Sequence, residues 1–281
     1  MYTLGIDIGS ASSKAVILED GQKTVAAAAV QSGTGTSGPG RVLEEVFALS
    51  GLSREDMDRV IATGYGRFSV QEADRQISEI TCHGKGIFFV CPSARTIIDI
   101  GGQDAKAISL DEDGNIEKFF MNDKCAAGTG RFLEVMSRVL EVELNEMGAH
   151  HFKSENPARV SSTCAVFAES EVISLLSMGA LKDDIIAGVH RSVASKSCAL
   201  AYRADVKDDV VMCGGVARNA GVVDAIEKEL GCRITVAPAP QLTGALGAAL
   251  IAFEDLKKSR EYNEYGRHER QGTAGALFSQ A

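Results

Sequence analysis

No stretch of the 281-residue chain is rich in Lys and Arg, and the net charge is −9. Nucleic acid and anionic membrane surfaces are bound through clustered cations, so neither is an expected partner. No apolar run reaches the roughly 18 residues that a membrane-spanning helix needs. The opening MYTLGIDIGS lacks the basic region and apolar segment of an export signal, which makes the cytoplasm the expected location. There is no CxxC pair, which excludes a zinc ribbon and a ferredoxin-type site built from one segment. The cysteines number seven (Cys82, Cys91, Cys125, Cys164, Cys198, Cys213 and Cys232), and an odd, widely spread set argues against a disulfide framework.

What the chain does have is apolar residues at 45%, enough for real cores, and an internal repeat. Residues 3–9, 13–19 and 23–30 read as three strands, with Asp20-Gly21 as a hairpin turn. Displaced by 92 residues, Ile6-Asp7-Ile8-Gly9 becomes Ile98-Asp99-Ile100-Gly101, and Lys14 becomes Lys106. The turn recurs as Asp113-Gly114, and 116–121 supplies a third strand again. Two like lobes with a cleft between them follow. Each Gly-rich bend is suited to phosphate: Gly9, Gly101 and Gly102 allow close backbone approach, and successive N–H groups form an anion-binding concavity. Ser10, Ser12 and Ser13 add hydroxyl donors. Asp7, Asp99 and Asp104 are placed to hold Mg²⁺ directly or through its waters.

The rest reads as ordinary α/β. Helices are expected at 40–50, 71–82, 129–141, 165–177, 183–203, 219–230 and from Gly244, with strands at 59–63, 209–213 and 232–237. Gly64-Tyr65-Gly66-Arg67 reads as a loop, SGTGTSGPG at 32–40 as a flexible one, and His150-His151 as a solvated loop pair. Gly214-Gly215 is a second place where backbone can approach a flat or anionic ligand. Two cysteines stand where helices are expected to begin, Cys125 in MNDKCAAGTGRFLEVM and Cys164 in SSTCAVFAESEVISLL. Helix N-termini favour thiolates and anionic clusters. The other five cysteines read as small core side chains. A cubane cluster takes four thiolates, so two cysteines per chain suffice across a twofold axis, with four helix N-termini aimed at the cluster. Two other functions fit the cleft alone: a small-molecule kinase with Asp104 as base, and a nucleotide switch without a redox centre.

These segments resemble the acetate and sugar kinase, heat-shock protein and actin superfamily. DIGSASSK is similar to its first phosphate motif, DIGGQDAK to its second and MCGGVARN to its adenosine motif. GTG at 128–130 and GALGAAL from Gly244 resemble the two connecting helices on which the lobes hinge. The implied fold is α/β: a two-lobed actin-like ATPase with duplicated ribonuclease-H-like lobes and the nucleotide in the cleft. Lobe I would span 1–95 with a return helix at 247–260, lobe II 96–246, and 261–281 would be a flexible tail. The implied ATP or ADP contacts are Ser10, Ala11, Ser12, Ser13 and Lys14 in the first bend and Gly101, Gly102, Gln103 and Asp104 in the second. Gly214, Gly215, Ala217, Asn219 and Gln241 complete them. Asp7, Gln103 and Asp104 would be catalytic, and Asp7 and Asp99 would hold Mg²⁺.

NDKCAAGTGRF and SSTCAVFAESEVISLL narrow the resemblance, over residues 1–253, to the activators of 2-hydroxyacyl-CoA dehydratases, relatives of the ATP-binding subunits of benzoyl-CoA reductase. That resemblance implies a homodimer holding one [4Fe-4S] cluster through Cys125 and Cys164 of each chain. It also implies ATP-driven transfer of one electron to a dehydratase heterodimer, and ferredoxin or flavodoxin as electron donor.

Overall fold

A computed structural model of the chain describes residues 1–123, 125–160 and 164–277. The chain begins with a three-stranded antiparallel meander, β1 (Tyr2–Ile8), β2 (Ser13–Glu19) and β3 (Lys23–Val30). Helix α1 (Gly38–Ser50) then leads back to β4 (Arg59–Thr63), parallel to β1, and β5 (Arg75–Gln76) closes a sheet of order β3-β2-β1-β4-β5. Helix α2 (Glu79–Val90) crosses to the second lobe, where β6 (Thr96–Ile100), β7 (Ala105–Leu110) and β8 (Ile116–Asn122) repeat the meander. Four helices follow: α3 (Gly130–Leu140), α4 (Met147–His151), α5 (Ala165–Ser177) and α6 (Lys182–Arg203). Then come β9 (Val210–Cys213), α7 (Ala220–Leu230) and β10 (Ile234–Val236), giving a second sheet of order β10-β9-β6-β7-β8. The chain returns to the first sheet as α8 (Thr243–Leu277).

The repeat governs this architecture down to its irregularities. Asp7 lies opposite Lys14 in the first sheet, and Asp99 lies opposite Lys106 in the second. A register shift between Ile17 and Leu18 recurs between Ser109 and Leu110. Such a shift sharpens the local twist and bends the strand. The central strands β1, β2, β6 and β7 are covered on both faces and are buried nearly throughout, whereas the outer strands β3 and β8 keep exposed positions. In the first, Ile6, Ile8 and Ile17 pack on α1, and Val16 and Leu18 pack on α8. In the second, Ile98 and Ile100 face α3, α6 and α7, while Ile97 and Ile108 face α2.

The structure differs from expectation at four elements. The expected helix at 71–82 starts at Glu79: residues 75–76 pair with β4, and Ser78 caps α2 by accepting from the Thr81 N–H at 3.3 Å. The pair of helices linking the lobes is α2 with α8, not the GTG segment at 128–130. A Cβ on Gly86 would overlap the Thr243 carbonyl, and one on Gly247 the Cys82 carbonyl, so bare glycines bring the two backbones together. Gly130 instead rests on the second bend, its N–H donating to the Gly101 carbonyl at 2.9 Å. Beyond Glu254, α8 runs on to Leu277 through the segment expected as a loose tail, since no proline follows Pro240 to stop it. The tail's last residues, 278–281, lie outside the described residues. His151 is 7% exposed inside α4 rather than solvated in a loop. Among the described residues no helix is long and apolar enough to cross a membrane.

Candidate nucleotide cleft and cysteine pair

A cavity of about 590 Å³ opens between the lobes, a size typical of cofactor sites. Its two bends are built alike. The Gly9 N–H donates to the Ser12 carbonyl at 3.0 Å, and the Gly101 N–H to the Asp104 carbonyl at 2.9 Å. Behind each bend a glycine of positive φ ends the neighbouring parallel strand, Gly64 (φ 86°) after β4 and Gly214 (φ 84°) after β9. A Cβ on Gly64 would overlap Asp7 Oδ1 and the Ile8 carbonyl, and one on Gly214 would overlap Asp99 Oδ1 and the Ile100 carbonyl. These are the positions where only glycine fits.

The cleft is charged, with Asp7, Glu79, Asp99, Asp104, Glu134 and Glu143 set against Lys14, Lys106 and Arg218. Lys14 Nζ lies 3.4 Å from Asp7 Oδ2. Lys106 is buried and lies 3.0 Å from Asp99, 2.9 Å from Asp104 and 3.5 Å from Glu79. Burial opposes the Lys106 charge, and the three carboxylates, Asp99 foremost, overcome it and hold the ammonium above its usual range. Burial alone would raise the Asp99 carboxyl; the neighbouring His83 and Lys106 reverse this and hold it well below. Glu79 is pushed upward, mainly by burial, against the pull of Lys106. His83, Asp99 and Cys213 lie at metal-ligand spacing on the cleft floor. Burial pushes the Cys213 thiol far up, and Lys106 already neutralises Asp99, so the trio is a hydrogen-bonded floor rather than a cation site.

Away from the cleft, Cys125 and Cys164 are exposed, whereas Cys82, Cys198 and Cys213 are buried and Cys91 and Cys232 partly so. Burial raises the Cys82 and Cys198 thiols to about 12. Cys164 is the N-cap of α5, as expected. Cys125 is not at a helix start: the run AAGTG forms a turn through Gly128 (φ 89°), Thr129 is the N-cap, and α3 begins only at Gly130. Lys196 on α6 lies within electrostatic reach of both cysteines. Its stem packs beneath Gly128 and its Nζ lies 5.7 Å from the Phe132 ring centroid. Burial lowers its ammonium, and both the Cys125 and the Cys164 thiolate work the other way.

A family model described as the BadF/BadG/BcrA/BcrD ATPase family matches residues 4–252. The chain belongs to this family. The activator of lactoyl-CoA dehydratase of Anaerotignum propionicum is 64% identical to this ATPase, over 92% of this chain and 100% of that one. The (R)-2-hydroxyglutaryl-CoA dehydratase activating ATPase of Acidaminococcus fermentans is 53% identical, over 92% of this chain and 99% of the relative. The solved activator of the 2-hydroxyisocaproyl-CoA dehydratase from Clostridium difficile, with bound ADPNP, superposes with a TM-score of 0.90 at 55% identity, covering 93% of this chain and 98% of that one. The two-lobed, actin-like α/β fold is thus shared with a nucleotide-bound relative.

Of the residues expected in the ATPase site, Asp7, Ser10, Ala11, Ser12, Lys14, Asp99, Gly101, Gly102, Asp104, Gly214, Gly215, Asn219 and Gln241 line the cleft. Three do not. Ser13 is buried and its hydroxyl donates to the Ser32 carbonyl at 2.7 Å. Gln103 is exposed, and Ala217 is buried. Sequence reasoning missed Tyr65, Glu79, His83, Lys106 and Arg218, which also line it. Lys106 was visible as the repeat partner of Lys14, and Tyr65 follows the glycine equivalent to Gly214. Arg67 turns away from the cleft, donating to the Gly64 carbonyl at 3.0 Å and stacking over Phe68.

Proposed function

We propose that this ATPase is a one-electron donor that activates a 2-hydroxyacyl-CoA dehydratase, and that it works as a homodimer around one [4Fe-4S] cluster. The observation that carries the reading is the contrast among the cysteines: the two in the special motifs are exposed and share Lys196, while the rest are buried or half-buried. Two exposed thiols per chain, doubled by a twofold axis, meet the four-thiolate demand of a cubane. When bound, that cluster supplies a single low-potential electron. Cys125 and Cys164 would hold it, and the α5 N-terminus that Cys164 caps would favour its negative charge. Ferredoxin or flavodoxin serves as reductant.

In the cleft, the two bends cradle the phosphates of ATP through backbone N–H groups, with Asn219 and Gln241 on the nucleoside side. Asp7 and Asp99 each carry a lysine already, so they would hold Mg²⁺ through its waters. The alternative of a kinase is disfavoured because Asp104, its acceptor base, is held by Lys106 at 2.9 Å.

The decisive experiment is anaerobic purification with iron analysis. Brown protein with about four irons per dimer is expected from the stoichiometry of one cubane. Cys125→Ser and Cys164→Ser should each abolish iron binding while ADP affinity stays within about threefold, since neither thiol lines the cleft. Colourless, iron-free protein under strict anaerobiosis overturns the proposal.

A further inference from the structure

We propose that Asp224, His151 and His190 form a directional hydrogen-bonded relay that fixes the amide orientation of Asn219 and thereby sets the affinity of the cleft for nucleotide. The proposal rests on the reading of Asn219 as a nucleotide contact.

The chain of atoms is complete. Asn219 caps α7: its Oδ1 accepts from the N–H groups of Gly221 at 3.0 Å and Val222 at 3.3 Å. Its Nδ2 therefore points the other way, 3.2 Å from His190 Nε2. His190 is fully buried on α6, and its Nδ1 lies 3.2 Å from Nδ1 of His151. His151 Nε2 lies 2.8 Å from Asp224 Oδ2 on α7. A Cβ on Gly221 would sit 2.6 Å from His190 Nδ1, so the glycine lets the histidine pair lie against the first turn of α7.

Chemistry fixes the direction of every proton. An amide nitrogen only donates, so His190 Nε2 accepts. Burial, and secondarily His151, push His190 down to about 3, so its ring is neutral at ordinary pH. A neutral ring with a bare Nε2 carries its proton on Nδ1 and donates it to His151 Nδ1. The remaining His151 proton sits on Nε2 and is donated to Asp224. Burial opposes the Asp224 charge, but bonds from Lys228 and His151 hold the carboxyl below its usual range. A carboxylate cannot donate, so the far end of the relay permits one direction only. In the reverse direction His190 Nε2–H would face the Asn219 amide hydrogens. Asn219 would have to flip, losing its cap on α7 and changing the amide orientation at the edge of the cleft that it lines.

Asp224→Asn tests the relay because it keeps the shape, sits at the partly exposed end and allows the reversed tautomers. We expect ADP binding, measured by titration calorimetry, to weaken about tenfold, the equivalent of one hydrogen bond. Lys228→Met removes the 2.7 Å ion pair to Asp224 but leaves the relay, so it should bind ADP as wild type does. In ¹⁵N-resolved imidazole spectra His190 should be the Nδ1–H tautomer and His151 the Nε2–H tautomer. Asn219→Ala is the control on the underlying reading and should weaken ADP binding at least as much as Asp224→Asn. Unchanged ADP affinity in Asn219→Ala overturns that reading and the relay with it. If Asn219→Ala weakens binding, the relay alone is overturned by wild-type affinity in Asp224→Asn, by equal weakening in Lys228→Met, or by an Nε2–H proton on His190.

Discussion

Lys196 is one cation within electrostatic reach of two thiols. With the proposed cluster in place, that charge favours the reduced, more negative state. Replacing Lys196 by Met keeps the stem beneath Gly128 and removes the charge. The cluster midpoint should then fall by about 40 mV, the one-electron equivalent of roughly 1 kcal/mol for a charge at surface-like screening. A redox titration followed by electron paramagnetic resonance reads the shift, and an unchanged potential removes Lys196 from the redox site. Residues of this kind were the least legible in the sequence. Cys125 and Cys164 stand out by their small-residue and apolar contexts, and the Asp-Lys pairs by repetition. Nothing local marks Lys196, His151 or His190, because what gives each its role is a neighbour brought by another element. The two thiol contexts are not equivalent: Cys164 caps α5 itself, whereas a turn separates Cys125 from α3, which begins at Gly130 close to the expected 129.

Elements were legible where one physical signal dominated. The apolar runs of β1, β2, β6 and β7 carry strand residues and end in turn glycines, and the α5 boundaries coincide with the expected 165–177. The start of α2 was lost because polar residues 71–78 fit a helical pattern as well as they fit a turn and a short edge strand; Ser78 followed by Glu79 was the usable signal. The small residues of α8, expected as one of the two connecting helices, pack against α2. That packing has a measurable cost of violation. A Cβ on Gly247 would overlap the Cys82 carbonyl of α2, and neither backbone can yield without shifting a sheet. Gly247→Ala should cost about 3 kcal/mol and lower Tm by roughly 6 °C or more in calorimetry. Gly40→Ala, in α1 with open space around its Cα, should be neutral or slightly stabilising. Equal behaviour of the two variants would mean that α2 and α8 are not in close contact.

At the scale of the whole molecule the two lobes are one design with a single large difference. Both have the meander, the shifted register and the glycine behind the bend. Lobe I passes from β3 to β4 through α1 alone, whereas lobe II places α3, α4, α5 and α6 between β8 and β9. That insertion carries both exposed cysteines, and it hid the match between Gly64 and Gly214 because it breaks the constant displacement of the repeat. Its helix α5 carries more apolar side chains than it buries: only Ala168 and Val172 are buried, while Phe167 is 70% exposed and Val166 and Ile173 are exposed beside it. A helix of that composition belongs in an interface. The proposed twofold axis brings two copies of α5 together at the cluster, so the same contact buries the apolar face and completes the thiolate set. Phe167→Glu places a charge in that contact without touching Cys164, Cys125 or the cleft. It should yield a monomer in analytical ultracentrifugation, with iron lost and ADP affinity within about threefold of wild type. A Phe167→Glu dimer with full iron would put the shared cluster and its axis on another face.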